Sequence, residues 1–488
     1  MSEPATELAE TLVRAWFGDK CAAVSRRCLN LGSCTLAQIG VRQKMTALQV
    51  RKCLATLVAH GLITVADGAE NGSSAPLRYR CDALAVVGEL LGVGRRLAQV
   101  DARSQDAAFL TADLFDAASP TVIFEQIRDK FEDASTSSAI DQSAGSSASS
   151  RKRPLAATDA GSSWSFVRRQ LDDDFRDELM REKAKHLFDG SEKLTSCFAE
   201  FLRLARTKRE TAAADVAASD GALSAPISVQ ELSRGCGSRE EMRAYELALA
   251  FLAENRLARR VGDSSGGLFC ADYESSFESL AQDAVEAVIS EAFDRKALRI
   301  FRLLLTKGFL DQEQIEREAM LPTRGEYNAR KLTYELVREG LLQQKEFSKK
   351  ADFDPQRTWF LYGASLKNAA RGLLEKTYKI VKNTIERRRF EAEEARSLTE
   401  RAEKMEAIVA NIEADENVDA QTKEEQVAEV REAMLTAAER DSLQRARQRQ
   451  AAFQRAEVAA ERTLFVLTNY LAFACRYTPP PPKRKRDS

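Results

Sequence analysis

Residues 327–362 read YNARKLTYELVREGLLQQKEFSKKADFDPQRTWFLY. Leu332, Leu336 and Val337 recur at helical spacing, so a helix is expected from Tyr327 to Arg338. Gly340 follows, where a helix C-terminus favours a residue free to take positive φ. Leu341 to Phe347 and Thr358 to Tyr362 are β-prone runs facing each other across a polar stretch, which reads as a hairpin. Upstream, Ile315 marks a short helix. Before it, an amphipathic helix near Ala284 carries Ala297, Ile300, Phe301, Leu303 and Leu304 and stops at Gly308. Helix, short helix, longer helix and hairpin is the order of a helix-turn-helix with a wing.

The same order occurs twice more. Near the N-terminus, one helix is expected from Thr6 to Leu29, a short one from Thr35 through Ile39, and a third from Thr46 with Leu48, Leu54, Leu57 and Val58 on its apolar stripe. Gly61 closes that helix; Leu62 to Val65 and Leu77 to Cys81 make the hairpin. Around 227–270, a short helix at Val229 to Leu232 precedes a longer one carrying Tyr245, Leu247, Leu249, Phe251 and Leu252. Strands at Leu257 to Val261 and Leu268 to Ala271 then turn through GDSSGG. The segment 101–132 has the helices of a further, worn copy without a convincing wing.

Beyond Leu366 the texture changes. Ala395, Leu398, Ala402, Met405, Val409 and Ile412 alternate steps of three and four, as the seam of a coiled coil does. After an acidic break, Thr436 and Glu439 form a capping-box pair, and Ala460, Leu464, Leu467, Leu471 and Ala474 resume the spacing. Two such arms joined by a polar break are expected to fold back as an antiparallel hairpin. The fold class is therefore mainly α with small β-wings: tandem winged helices followed by a C-terminal antiparallel coiled-coil hairpin. The expected divisions are 1–82, winged helix 1; 83–210, a degenerate winged helix 2 with a Ser/Ala-rich insertion at 134–165 that cannot order itself; and 211–226, a linker. Winged helix 3 follows at 227–275, winged helix 4 at 283–363, the hairpin at 366–476 and a Pro-rich basic tail at 477–488.

Lys and Arg total 73 against 74 for Asp and Glu, so the chain has no bulk electrostatic attraction to nucleic acid or membrane, and any such contact must be local. With 2 histidines and 9 scattered cysteines, none in a C-x-x-C pair, zinc-ribbon and iron–sulfur spacings are absent. The unpaired cysteines suit a reducing compartment, the acidic N-terminus is unlike a secretory signal, and no apolar run is long enough to span a membrane. No P-loop, G-x-S-x-G or H-E-x-x-H is present; the GDSSGG glycines join two strands and do not open a helix over a phosphate. No catalytic, cofactor or metal residue is assigned. His60 reads as the end of a helix, and Asp172, Asp173 and Asp174 as acids at a helix start.

Groove recognition needs Arg, Lys, Asn or Gln on the recognition helix. Winged helix 1 offers only Gln49, Arg51 and Lys52, and in winged helix 3 Arg239 and Arg243 are offset by Glu240, Glu241 and Glu246. The last copy is the most basic, with Arg324, Arg330, Lys331 and Arg338 on or near the helix and Lys345, Lys349, Lys350 and Arg357 on the wing. Such a stripe suits DNA-backbone contact, as do Arg151, Lys152 and Arg153 in the insertion; the same residues also suit the solvated face of a protein-binding scaffold. Ala395, Leu398, Met405, Ile412, Leu464, Leu467 and Leu471 are candidates for docking a partner. Lys483, Arg484, Lys485 and Arg486 behind four prolines read as a nuclear-import signal.

Several stretches carry a family resemblance: GDSSGG at 262–267, RIFRLLL at 299–305, QEQIEREAML at 312–321, RTWFLY at 357–362 and KNTIERRRFEAEEARSL from Lys382. Together they resemble the third-largest subunit of eukaryotic nuclear RNA polymerase III, densely from about Ile227 to Tyr470 and more loosely over Trp164–Ala205 and the first winged helix. The resemblance implies a non-catalytic subunit of four winged helices and a coiled-coil hairpin, without cofactors. It implies a heterotrimer with a tandem winged-helix subunit and an acidic-tailed subunit, seated on the clamp of the polymerase core and supporting promoter opening. It further implies that residues 366–475 dock on the clamp, and that the insertion approaches template DNA, which is held weakly and non-specifically. The sequence departs from the family in the second winged helix. The alternative reading is a free-standing winged-helix DNA-binding initiation factor, which needs a better recognition helix than any seen here.

Overall fold

The computed structural model describes residues 3–40, 45–66, 78–83, 86–87, 90, 158–212, 222–232, 239–261, 268–321, 328–348, 358–414 and 420–475. They fall into two compact units, one drawn from 1–155 and 375–462, the other from 156–374 and 463–488. The expected second winged helix lies largely outside the described residues.

The first unit opens with α1 (Glu3–Leu31), β1 (Ser33–Thr35), α2 (Leu36–Gly40), α3 (Ala47–Ala59), β2 (Ile63–Ala66) and β3 (Arg78–Cys81). Its sheet has the order β1-β3-β2, with Tyr79 of the central strand opposite both Cys34 and Val65. The single helix expected from Thr6 to Leu29 is instead broken inside α1 at Gly18, whose φ of 82° a side chain would disfavour. Leu8, Val13, Val24, Ile39 and Leu57 are fully buried between α1, α2 and α3. Each contributes roughly 1.5–3 kcal/mol relative to exposure.

The second unit continues with α4 (Thr158–Leu187), α5 (Glu192–Ala212), β4 (Ile227–Ser228), α6 (Val229–Leu232), α7 (Arg239–Glu254), β5 (Ala258–Val261) and β6 (Leu268–Ala271). Next come α8 (Tyr273–Ala292), α9 (Arg295–Lys307), β7 (Leu310–Asp311), α10 (Gln312–Glu318), α11 (Ala329–Arg338), β8 (Leu342–Ser348) and β9 (Thr358–Ala364). Their sheets, β4-β6-β5 and β7-β9-β8, repeat the first topology. Helix α5 packs on α6, α7, β4 and β6, so it supplies the leading helix of this winged-helix arrangement, although in sequence it lies within 83–210. The end of the expected linker is also structured: Leu223 bridges Asp272, and the Ser224 hydroxyl accepts from the Ala271 amide at 2.8 Å. The amphipathic helix expected near Ala284 is two helices, the second capped by Asp294.

Three helices complete the described residues: α12 (Leu366–Ala414), α13 (Ala420–Met434) and α14 (Ala437–Ala474). The two arms expected are therefore three segments. Thr436 and Glu439 do form the capping box, with Glu439 N donating to Thr436 Oγ1 at 3.3 Å and Thr436 N donating to Glu439 Oε2 at 3.0 Å. In the first unit α12 and α14 run antiparallel, because Arg388 pairs with Glu457 at 2.9 Å while Arg401, farther along, pairs with Glu439 at 2.8 Å. Ala402, Leu435 and Leu443 form a small apolar core there, flanked by Leu398 and Met405.

The main core of the second unit gathers α4, α8, both winged helices and the end of α14. Phe277 is fully buried, with its ring 6.3 Å from Phe465 and 6.2 Å from Phe473, and Phe175 meets Phe465 edge-on at 4.6 Å. Asp173 and Asp174 lie well inside α4, not at a helix start: Asp173 pairs with Arg176, and Arg206 of α5 bonds both Asp174 and Asp177. Tyr273 donates to Asp177 at 3.0 Å. Burial pushes the Asp177 carboxyl up to about 6, outweighing the pull of Arg206 and Tyr273 in the other direction.

Phe277→Ala is expected to cost about 3–5 kcal/mol in chemical denaturation, through transfer loss and an unfilled cavity. Asp177 binds its proton more tightly folded than unfolded, so its contribution is fully present below the ordinary carboxylate range and lost as pH rises through about 6. Between pH 7 and pH 5 the native chain should therefore gain on the order of 1 kcal/mol relative to Asp177→Asn; parallel unfolding midpoints for the two proteins would contradict this.

Candidate nucleic-acid interface

The last winged helix has the best formed candidate surface. Asn328 caps α11 by accepting from Lys331 N at 2.7 Å, and Leu332, Thr333 and Leu336 are buried. That leaves Lys331, Tyr334 and Arg338 on the outward side, with Tyr334 67% exposed. In the wing, β8 and β9 pair Phe347 with Trp359 and Lys345 with Leu361. Side chains directly opposite across an antiparallel pair share a face, so Lys345, Phe347 and Trp359 stand together. Phe347 and Trp359 are 56% and 60% exposed. Lys345 lies over the Phe309 ring at 4.1 Å, and that ring in turn occupies the space above Gly363, where an added Cβ would come within 2.6 Å.

Several residues named from sequence have other employment. Gln49 belongs to the cap of α3: its backbone N–H donates to Thr46 Oγ1 at 3.3 Å and its side-chain oxygen accepts from Thr46 N at 3.2 Å. Arg330 pairs with Glu316 at 3.0 Å, and Arg338 with Glu339 at 3.5 Å. Lys331 and Lys345 are exposed, on α11 and β8 of the same winged-helix arrangement. Arg151, Lys152, Arg153, Arg324, Lys349, Lys350, Arg357 and Lys483 to Arg486 lie outside the described residues, as do the side chains of Arg239, Glu240 and Glu241. The aromatic members Tyr334, Phe347 and Trp359 were missed. The signal was the alternation of Lys345 and Phe347 along one strand, opposite a tryptophan.

The residues expected to dock a partner are buried or half-buried within this chain. Leu467 is fully buried and Leu464 is 7% exposed, both within this chain's own packing, and Leu471 lies against the main core. Leu398 and Met405 flank the small core between the long helices, and Ala395 and Ile412 are half-buried. A seam at helical spacing marks what a helix buries, whether the other side belongs to the same chain or not. The outward apolar residues of the long helices are instead Ile380, Phe390, Ile408 and Val458. On α7 the expected apolar stripe is likewise split, with Leu247 71% exposed and Leu249 buried.

Nothing described suggests chemistry. Among the described residues no group of His, Cys, Asp and Glu is arranged to hold a metal ion, and no helix is long and apolar enough to cross a membrane. His60 is the C-terminal cap of α3, 5.0 Å from the Phe17 ring, and burial holds its imidazole below the ordinary value. Burial pushes Cys21 up to about 12 and Cys81 up to about 11, which makes them core thiols and not nucleophiles.

Two family models match separate winged helices in chain order. Residues 7–66 match the RNA polymerase III subunit RPC82 helix-turn-helix domain, and residues 285–364 match the POLR3C C-terminal winged-helix domain. The DNA-directed RNA polymerase III subunit RPC3 of Bos taurus is 34% identical over 250 residues, covering 50% of this chain and 45% of that protein. The chain is homologous to RPC3 subunits. The RPC3 of Danio rerio is 37% identical over 212 residues, 43% of this chain and 38% of the relative; that of Homo sapiens is 33% identical over 250 residues, 50% and 45%. The matched stretch thus spans 38–45% of the length of these RPC3 relatives. The match at 285–364 takes in α9, the recognition helix α11 and both wing strands, so the candidate surface lies on a domain that RPC3 proteins share.

Replacing Lys345 and Trp359 together by Ala is expected to weaken binding of the full chain to a random-sequence oligonucleotide by about threefold to tenfold at low salt, through lost charge and stacking. Unfolding temperature should change little, because both side chains are largely solvent-facing. Fluorescence anisotropy and differential scanning fluorimetry on the same preparations check both halves.

Proposed function

We propose that this chain is a non-catalytic subunit of DNA-directed RNA polymerase III, working in the nucleus as part of a heterotrimer on the clamp that supports initiation and promoter opening. The observation that carries the reading is the pair of RPC82 and POLR3C domain matches, at 7–66 and 285–364, on two winged-helix arrangements of the same chain. Its partners are the polymerase core and the tandem winged-helix and acidic-tailed subunits. Nucleotide addition belongs to other subunits, and this chain supplies surfaces.

Within that reading the long helices form a coiled-coil hairpin that docks the chain on the clamp. The antiparallel ion pairs Arg388–Glu457 and Arg401–Glu439 and the cluster of Ala402, Leu435 and Leu443 support it. The last winged helix touches template DNA through phosphate contact and aromatic stacking, supported by the grouping of Lys345, Phe347 and Trp359. Arg151 to Arg153 are proposed as a second backbone contact, and Lys483 to Arg486 as the import signal.

Affinity purification of a tagged full-length chain from nuclear extract should recover the largest polymerase subunits in stoichiometric amount by mass spectrometry. Recovery of the chain alone, as a monomer, would overturn the proposal.

A further inference from the structure

The break in α1 at Gly18 opens a cavity of about 270 Å3 lined by Glu10, Arg14, Asp19, Ala23, Arg26, Arg27 and Asn30. Its charges do not balance. Glu10 is shared by Arg14, at 2.7 Å, and Arg26, at 3.4 Å, and Asp19 lies 3.3 Å from Arg14. Arg27 is left over: its Nε is buried and has no hydrogen-bond partner among the described residues. From α12, Arg389 adds another positive charge beside Arg14 and Asp19. Burial, then the neighbouring Arg388 and Arg14, pull its guanidinium below the ordinary value. Among the lining residues three arginines therefore face two carboxylates, with a buried N–H unanswered, while Arg389 beside them has Glu386 as well as Asp19 for company.

We propose that this cavity is a binding site for a phosphate group, held by Arg14, Arg26 and Arg27. A guanidinium presents planar N–H donors in the fork that tetrahedral oxyanions accept, and three of them converge here on a space large enough for the anion with some of its water. A dianion would answer the Arg27 Nε and offset the surplus positive charge of the lining residues. The site differs from the surface on the last winged helix: it is concave, contains no aromatic lining residue, and is built at the helix break. The phosphate can arrive free in solution or as part of a nucleic-acid backbone.

The test is thermal unfolding of the full chain in inorganic phosphate against chloride at matched ionic strength, with a parallel arm using a short single-stranded oligonucleotide. Phosphate at saturating concentration should raise the unfolding temperature by about 2–5 °C, and Arg27→Gln should remove the rise. Asn30→Asp, which keeps every arginine and adds a negative charge at the exposed rim, should remove it too, and guards against Arg27→Gln failing to fold. A rise with inorganic phosphate assigns the free anion; a rise with the oligonucleotide alone, lost in both variants, assigns the backbone. No rise in either arm, or a rise equal in the parent and both variants, overturns the site.

Discussion

Each small sheet is closed by a strand that arrives last in sequence and sits in the middle. β3, β6 and β9 are each paired on both sides, by the preceding wing strand and by a two- or three-residue strand that leads into the short helix. That double pairing is the constraint on which the rest depends. It ties the wing back to the start of the helix triplet, so the recognition helix and the wing hold a fixed relation. In the last copy it places Phe347 and Trp359 opposite each other on the same hairpin face as Lys345, beyond a helix carrying Lys331 and Tyr334. In the first copy it seats Cys34 and Ile63 against the central strand, beneath the kinked α1.

Charge then decides what such surfaces can do. Arg330 faces Glu316, Arg259 faces Asp272 at 2.7 Å, and Arg302 bonds Glu286. A recognition helix that reads bases has to keep its forked donors available for base edges. Here many of the cations are tied to carboxylates of the same domain, while exposed apolar residues such as Leu247 on α7 and Phe390 on α12 remain on the outside. That combination supports the proposed reading of a subunit covered by other proteins, with nucleic acid touched through a few local contacts.

Much of this was legible in the sequence, for physical reasons that can be named. Helical spacing, the Thr46 and Thr436 caps, and the glycines Gly61, Gly308 and Gly340, at φ of 69°, 85° and 75°, all act within a few residues and leave a local signature. The strands β1, β4 and β7 left none, because so short a run is a strand only by virtue of its distant partner. Helix α5 was separated from its own domain because residues 213–221 intervene. The Gly18 break was invisible inside an otherwise helical pattern. Leu464 and Leu467 keep the spacing of a docking seam and are buried within this chain, because periodicity reports burial without saying which chain provides it; the aromatic side of the candidate surface carries no charge to mark it.

On the proposed function, this chain docks and holds DNA without reading it. The most direct measurement is fluorescence anisotropy of the full-length chain against two duplexes of unrelated sequence across a salt series. The account predicts affinities within about twofold of each other, weakening steeply and in parallel as salt rises. A preference of about 1,000-fold for one duplex, persisting at physiological salt, would contradict it.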